Sequence, residues 1–99
     1  MKISYNSPIG LEVSKGDWEG AEWTITGYPR DRYTVRRFES GYEFEDFVRD
    51  KFDCKGITFD SEYSQFFAYA KTDARATKLV KEIEKHFEKL RDLAGVSAK

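Results

Sequence analysis

The 99-residue chain has one cysteine, Cys54, and one histidine, His86. A lone thiol excludes an intrachain disulfide and any multi-thiolate site, and a lone imidazole excludes a metal centre built from several histidines. No apolar run approaches the roughly 20 residues of a membrane-spanning helix, and the opening MKISYNSP lacks a signal-peptide core. The expected setting is therefore cytoplasmic and soluble, with no membrane partner. Charge of one sign is also missing, with 17 basic residues against 18 acidic. That balance excludes a protein held to nucleic acid or membrane by bulk positive charge, and it speaks against a wholesale acidic mimic of nucleic acid. There is no glycine-rich phosphate loop, nucleophile elbow or metal-ligand spacing, so no cofactor, metal or catalytic residue is expected. Leucine is scarce, at four residues, against eight Phe, six Tyr and two Trp. Any core must be rich in aromatic rings.

The length fits one domain over residues 1–99, with residues 95–99 expected to fray. Alternating apolar and polar residues predict a short strand from Ile9 to Val13, then strands over Ala21–Tyr28 and Arg32–Glu39. Tyr28–Pro29–Arg30–Asp31 reads as the turn between the last two, which predicts an antiparallel hairpin. Ser40–Gly41–Tyr42–Glu43 is a capping-box pattern, and a helix from Gly41 to about Phe52 would place Phe44, Phe47, Val48 and Phe52 on one side. Ile57–Phe59 and Gln65–Ala70 read as strands. In the second of these, Phe66, Ala68 and Ala70 share one face while Gln65, Phe67 and Tyr69 share the other. Thr72 or Asp73 caps a second helix running to about Leu93, with Ala76, Leu79, Val80, Ile83, Phe87, Leu90 and Ala94 as its apolar stripe.

The order is (β)ββαββα. It predicts an α+β fold: a single antiparallel sheet of four or five strands with two helices on one face, a permuted ferredoxin-like arrangement. The other face is left open. If Trp23, Ile25, Tyr33, Val35, Phe66, Ala68 and Ala70 point at the helices, the period-two rule sends Thr24, Arg32, Arg36, Phe38, Phe67 and Tyr69 outward. Two arginines among three aromatic rings are an unusual composition for a purely solvated face.

Gln65–Phe66–Phe67–Ala68–Tyr69–Ala70–Lys71–Thr72, followed by Ala74, Ala76, Leu79, Val80 and Ile83, resembles the third strand and second helix of an RNA-recognition motif. The resemblance covers about a fifth of the chain. It implies that Phe67 and Tyr69 hold the base-stacking positions of that family's aromatic-x-aromatic strand. Glu62, Tyr63 and Ser64 stand where that family has a basic residue and glycine.

The candidate binding residues are Trp18, Arg32, Arg36, Phe38, Phe67 and Tyr69. Arg30, Arg32, Arg36 and Arg37 fall within eight residues and suit carboxylates or phosphates, although a solvated hairpin would use them too, paired with Glu22, Asp31 and Glu39. Trp18, between Gly16 and Gly20, fits either an interface anchor or a cover over the core edge. Glu43, Asp46 and Asp50 form a row better explained by solvation and the helix dipole than by a cation. Lys81, Lys85 and Lys89, each with an acid three residues on, read as a neutralised solvated face. His86 sits at the edge of the apolar stripe, and only it could serve Cys54 as a base.

The leading expectation is a non-catalytic binding or regulatory module, an inhibitor or accessory factor, that docks a protein partner on the open face. The same face offers single-stranded nucleic-acid binding as a second reading, with Phe67 and Tyr69 stacking bases and Arg32 and Arg36 on phosphates. A third is an enzyme using Asp60, Glu62 or His86 in a site between subunits, and a homodimer through the aromatics is a further role for the face.

Overall fold

The computed structural model describes the backbone of residues 2–27 and 38–98 and the side chains of residues 2–27 and 38–89. In chain order the elements are β1 (Lys2–Asn6), β2 (Leu11–Lys15), β3 (Trp23–Gly27), α1 (Gly41–Lys51), β4 (Thr58–Phe59), β5 (Phe66–Ala70) and α2 (Asp73–Ala98). The strands form one antiparallel sheet in the order β1-β2-β3-β5-β4. The fold is α+β, as the hydrophobic periodicity predicts, with five strands and two helices among the described residues.

The pairing register sets two kinds of row across the sheet. Val13, Ile25, Ala68 and Phe59 lie opposite one another on β2, β3, β5 and β4 and face the helices. The neighbouring row, Ser14, Thr24, Tyr69 and Thr58, faces the other way. The alternation predicted for β5 therefore holds, with Phe66, Ala68 and Ala70 buried and Phe67 and Tyr69 half-buried on the opposite side.

Both helices pack on the first face. α1 brings Phe44 and Val48, while α2 brings Ala76, Leu79, Val80, Ile83 and Phe87. Ala68 and Ala70 are small, so the helices approach the sheet closely. The Phe44 ring stands edge-on to Phe66 at 4.8 Å between centroids and stacks with Phe87 at 6.4 Å. Fully burying each such side chain stabilises the fold by roughly 1.5–3 kcal/mol.

Local chemistry starts the helices where expected. The Ser40 hydroxyl accepts from the Glu43 amide at 3.1 Å, and the Glu43 carboxylate reaches back to the amide of Glu39. Thr72 caps α2, its hydroxyl accepting from the Arg75 amide at 3.2 Å. α2 continues past the expected end near Leu93 to Ala98. Leu90 and Ala94 of the predicted stripe lie outside the described side chains.

Three expectations need correction. The first strand begins at Leu11, because Ser7–Gly10 is a turn closed by Gly10 N–H to Ser7 O at 3.1 Å and Ser7 N–H to Leu11 O at 2.7 Å. Ile9 is buried from within that turn. The expected hairpin of 21–28 with 32–39 does not form along Trp23–Gly27, because both edges of β3 are occupied, by β2 and by β5. Residues 28–37, which include that turn, Tyr33, Val35 and the arginine cluster, lie outside the described residues. Phe38 does not face outward. It is buried at 9 % exposure, with ring centroids 5.0 Å from Phe44, 5.2 Å from Phe47 and 6.1 Å from Phe87. Two residues before the Ser40 cap the chain is turning into a helix, and strand alternation no longer sets the side-chain direction.

β1 was not expected, and it gives α2 a polar seam. The Tyr5 hydroxyl donates to the Glu84 carboxylate, as does the Ser7 hydroxyl at 3.1 Å, and the Lys81 ammonium lies over the Tyr5 ring. Burial, then the bond to Glu84 and its charge, then the charge of Glu88, push Tyr5 up to about 12. The Ser4 and Thr77 hydroxyls donate to Asp73 at 2.6 and 2.8 Å and hold its carboxyl below the usual range. Lys81 and Glu84 are thus contacts to β1, whereas the helix pattern alone reads them as a solvated row.

Candidate functional site on the open sheet face

The face turned away from the helices carries the row Thr58, Tyr69 and Thr24, continued on β2 by Ser14, which is buried at 5 % exposure, and, beside it, Phe67 opposite Thr26. Glu22 precedes Thr24 by two residues and is exposed. The loop between β2 and β3 brings in Trp18, which is 68 % exposed. Its ring occupies the space above Gly16, where a Cβ would fall 1.9 Å from the indole Cζ3. The missing side chain at residue 16 is what lets the indole lie there.

These elements enclose a groove of about 470 Å³ lined by Trp18, Gly20, Glu22, Thr24, Thr58 and Tyr69. Its character is aromatic, with two threonine side chains and one carboxylate. Tyr69 is pushed up, first by burial and then by the negative charges of Asp60, Glu62 and Glu22. Among the described residues, the charges acting on this ring are all carboxylates.

Three of the sequence-predicted residues meet on this side: Trp18, Phe67 and Tyr69, with Trp18 and Tyr69 lining one groove. Trp18 is on the surface and does not cover the core edge. Phe38 belongs to the core, as described above. Arg32 and Arg36 lie outside the described residues. Glu22 and Thr58 were missed. Glu22 has the same parity as Thr24, which was a usable signal; Thr58 becomes visible only through its pairing with Tyr69.

Of the remaining candidates, Cys54 and His86 are built into the framework. Cys54 donates through Sγ to the Val48 and Phe52 carbonyls, and burial pushes its thiol up, the opposite of nucleophile activation. His86 packs against Phe47, Phe52 and Phe87 in the helix layer, and burial, then Lys51 and Lys89, lower its pKa. Asp60 and Glu62 are exposed, and their charges act on Tyr69. Arg75 pins the segment after α1, donating from Nε to Lys55 O at 2.8 Å and from Nη2 to Asp53 O at 2.6 Å. Asp46 and Asp50 are exposed on α1.

No family model, curated protein or solved structure matches this chain.

Proposed function

We propose that this chain is a small non-catalytic binding or regulatory module that docks a protein partner on the open face of its sheet. One observation carries the reading: Trp18 stands 68 % exposed beside Tyr69 at a groove on the face that the helices leave uncovered. Tryptophan and tyrosine are the side chains that dominate interface energetics, because they bury a large rigid area for few lost rotamers. The mechanism is steric, occupying or modulating a partner's surface as an inhibitor or accessory subunit does. The strand order β2-β3-β5-β4, with α1 after β3 and α2 after β5, supports a permuted ferredoxin-like unit with one free face. The outward placement of Phe67 and Tyr69 is also the feature on which the likeness to an RNA-recognition motif rests. The carboxylates around Tyr69 oppose a phosphate backbone there, which favours protein over nucleic acid.

The test begins with affinity capture by the full chain from its native cell and identification of the eluate. The purified partner is then titrated calorimetrically against wild type, Trp18→Ala, Tyr69→Ala and Tyr63→Ala. Tyr63 is 69 % exposed and does not line the groove. The Trp18 and Tyr69 variants are expected to bind about tenfold more weakly while remaining folded, Trp18→Ala at a nearly unchanged melting temperature and Tyr69→Ala at a modestly lower one for its lost cross-strand contacts, with Tyr63→Ala equal to wild type. Full-strength binding by the Trp18→Ala/Tyr69→Ala double variant would refute the reading. Capture of single-stranded oligonucleotide in place of protein would replace it with the nucleic-acid reading.

A further inference from the structure

We propose that the groove between Trp18 and Tyr69 is a receptor for a cationic side chain, an arginine or lysine on a partner segment laid across β3, β5 and β4. The inference rests on the open face being a protein-docking surface and adds the chemistry of what enters it.

Three features of the groove point the same way. Its lining includes an indole and a phenol, ring systems whose faces carry the negative end of an aromatic quadrupole and attract cations. Its polar groups are Thr24 and Thr58, whose hydroxyls can accept hydrogen bonds, and the Glu22 carboxylate, which is acceptor-only when ionised. Among the described residues, no basic side chain lines the groove. The surrounding charge then extends the preference, since Glu22, Asp60 and Glu62 all act on Tyr69. One carboxylate in the lining and two more acting on Tyr69 favour cations there and oppose phosphates and acidic peptides.

Geometry adds selectivity for a long side chain. The floor is the cross-strand row Thr58, Tyr69 and Thr24, so an extended segment crossing these strands can insert one residue between the rings. The volume of about 470 Å³ accommodates an alkyl stem and its charged head with room for neighbouring backbone. Trp18 is already seated over Gly16, so its ring loses little freedom on binding. A lysine or arginine stem would cover the exposed indole while its head reaches Glu22, burying apolar and pairing polar groups in one contact.

The test follows the Trp18 indole N–H signal of the ¹⁵N-labelled full chain, assigned by its absence in Trp18→Ala. The probes are acetylated heptapeptides of glycine and serine with Arg, Lys, Gln, Glu or Leu at the centre, and a ten-nucleotide oligothymidine. Arg and Lys peptides are expected to move the signal saturably and to bind at least about fivefold more tightly than the Gln, Glu and Leu peptides, the size expected of an exposed cation–π contact with a carboxylate beside it. Glu22→Gln should weaken the Arg peptide about threefold to tenfold, and so should raising salt to about 0.5 M, because the contact is exposed.

Equal binding of Leu or Glu peptides would overturn the cationic inference and leave the docking face intact. So would a Trp18 signal that no peptide moves, if the captured partner still loses affinity on Trp18→Ala. A silent signal together with a partner indifferent to Trp18→Ala and Tyr69→Ala would overturn both. Saturable binding of oligothymidine, with Arg peptides inert, would overturn both in favour of nucleic acid.

Discussion

Replacing Gly41 by alanine sets two well-understood effects against each other. On helix propensity the change stabilises, since alanine exceeds glycine by about 1 kcal/mol inside a helix. Packing predicts the opposite sign. Gly41 is the first residue of α1 and lies against the tight connection between β4 and β5, where its N–H donates to Tyr63 O at 2.8 Å. A Cβ there would lie 2.2 Å from both Glu62 O and Gln65 O, over an ångström inside the 3.4 Å of ordinary contact. Neither oxygen can swing aside, because Glu62 and Gln65 bond each other through N–H to O at 2.9 and 3.3 Å. Relief requires α1 to withdraw, which stretches the bond to Tyr63. Overpacking of this kind costs about 1–3 kcal/mol, and the lost hydrogen bond adds about 1 kcal/mol. After the propensity gain, Gly41→Ala should be destabilising by roughly 1–3 kcal/mol, a fall of roughly 5–20 °C in melting temperature for a domain of this size. Urea denaturation followed by circular dichroism measures it, with Tyr42→Ala, at a position 53 % exposed, as the control that should change little. A Gly41→Ala protein as stable as wild type would show that α1 does not dock on that connection.

Phe38→Ala should cost about 3–5 kcal/mol, as for other buried Phe truncations, whereas an outward-facing ring would cost a fraction of that; chemical denaturation separates the two. Tyr5→Phe should lose about 1–2 kcal/mol at neutral pH through its bond to Glu84. Because Tyr5 is raised to about 12 from 10.0, its contribution is complete below pH 10 and disappears as pH climbs through 12. Spectroscopic titration at alkaline pH should therefore show a tyrosine ionising near 12 that is missing in Tyr5→Phe, and its persistence there would contradict the Tyr5–Glu84 contact. Arg75→Ala should free the segment after α1. Hydrogen exchange at the Ile57 amide, which donates to Cys54 O at 3.0 Å, should quicken by about tenfold, equivalent to about 1.4 kcal/mol of local opening.

Features governed by short-range rules were legible in the residues. The stripe Ala76, Leu79, Val80, Ile83 and Phe87 declares α2, the alternation from Phe66 to Ala70 assigns each face of β5, and Ser40 with Glu43 marks the start of α1. What was hidden depends on partners distant in the chain. Ile3 and Tyr5 show a period of two, yet the pairing with β2 is irregular between them, and the strand is identified only by its bonds. β3 reads as one arm of a hairpin because sequence neighbours usually pair, while its actual neighbours are β2 and β5, which begins only at Phe66. Phe38 was misplaced because an alternation rule was carried into a helix entry. The groove was half legible: Tyr69 and Trp18 stood out as rings, but their meeting, and the arrival of Thr58 beside them, needed the register of β4 on β5.

The two outermost strands of the described sheet are poor templates for another chain. β4 offers only two residues, and β1 departs from regular register between Ile3 and Tyr5 and begins with Lys2. An incoming strand would meet no long straight ladder of free amides at either margin, which guards against edge-to-edge polymerisation. Association is thereby steered from main-chain pairing, which is indifferent to sequence, towards contacts in which particular side chains choose the mate.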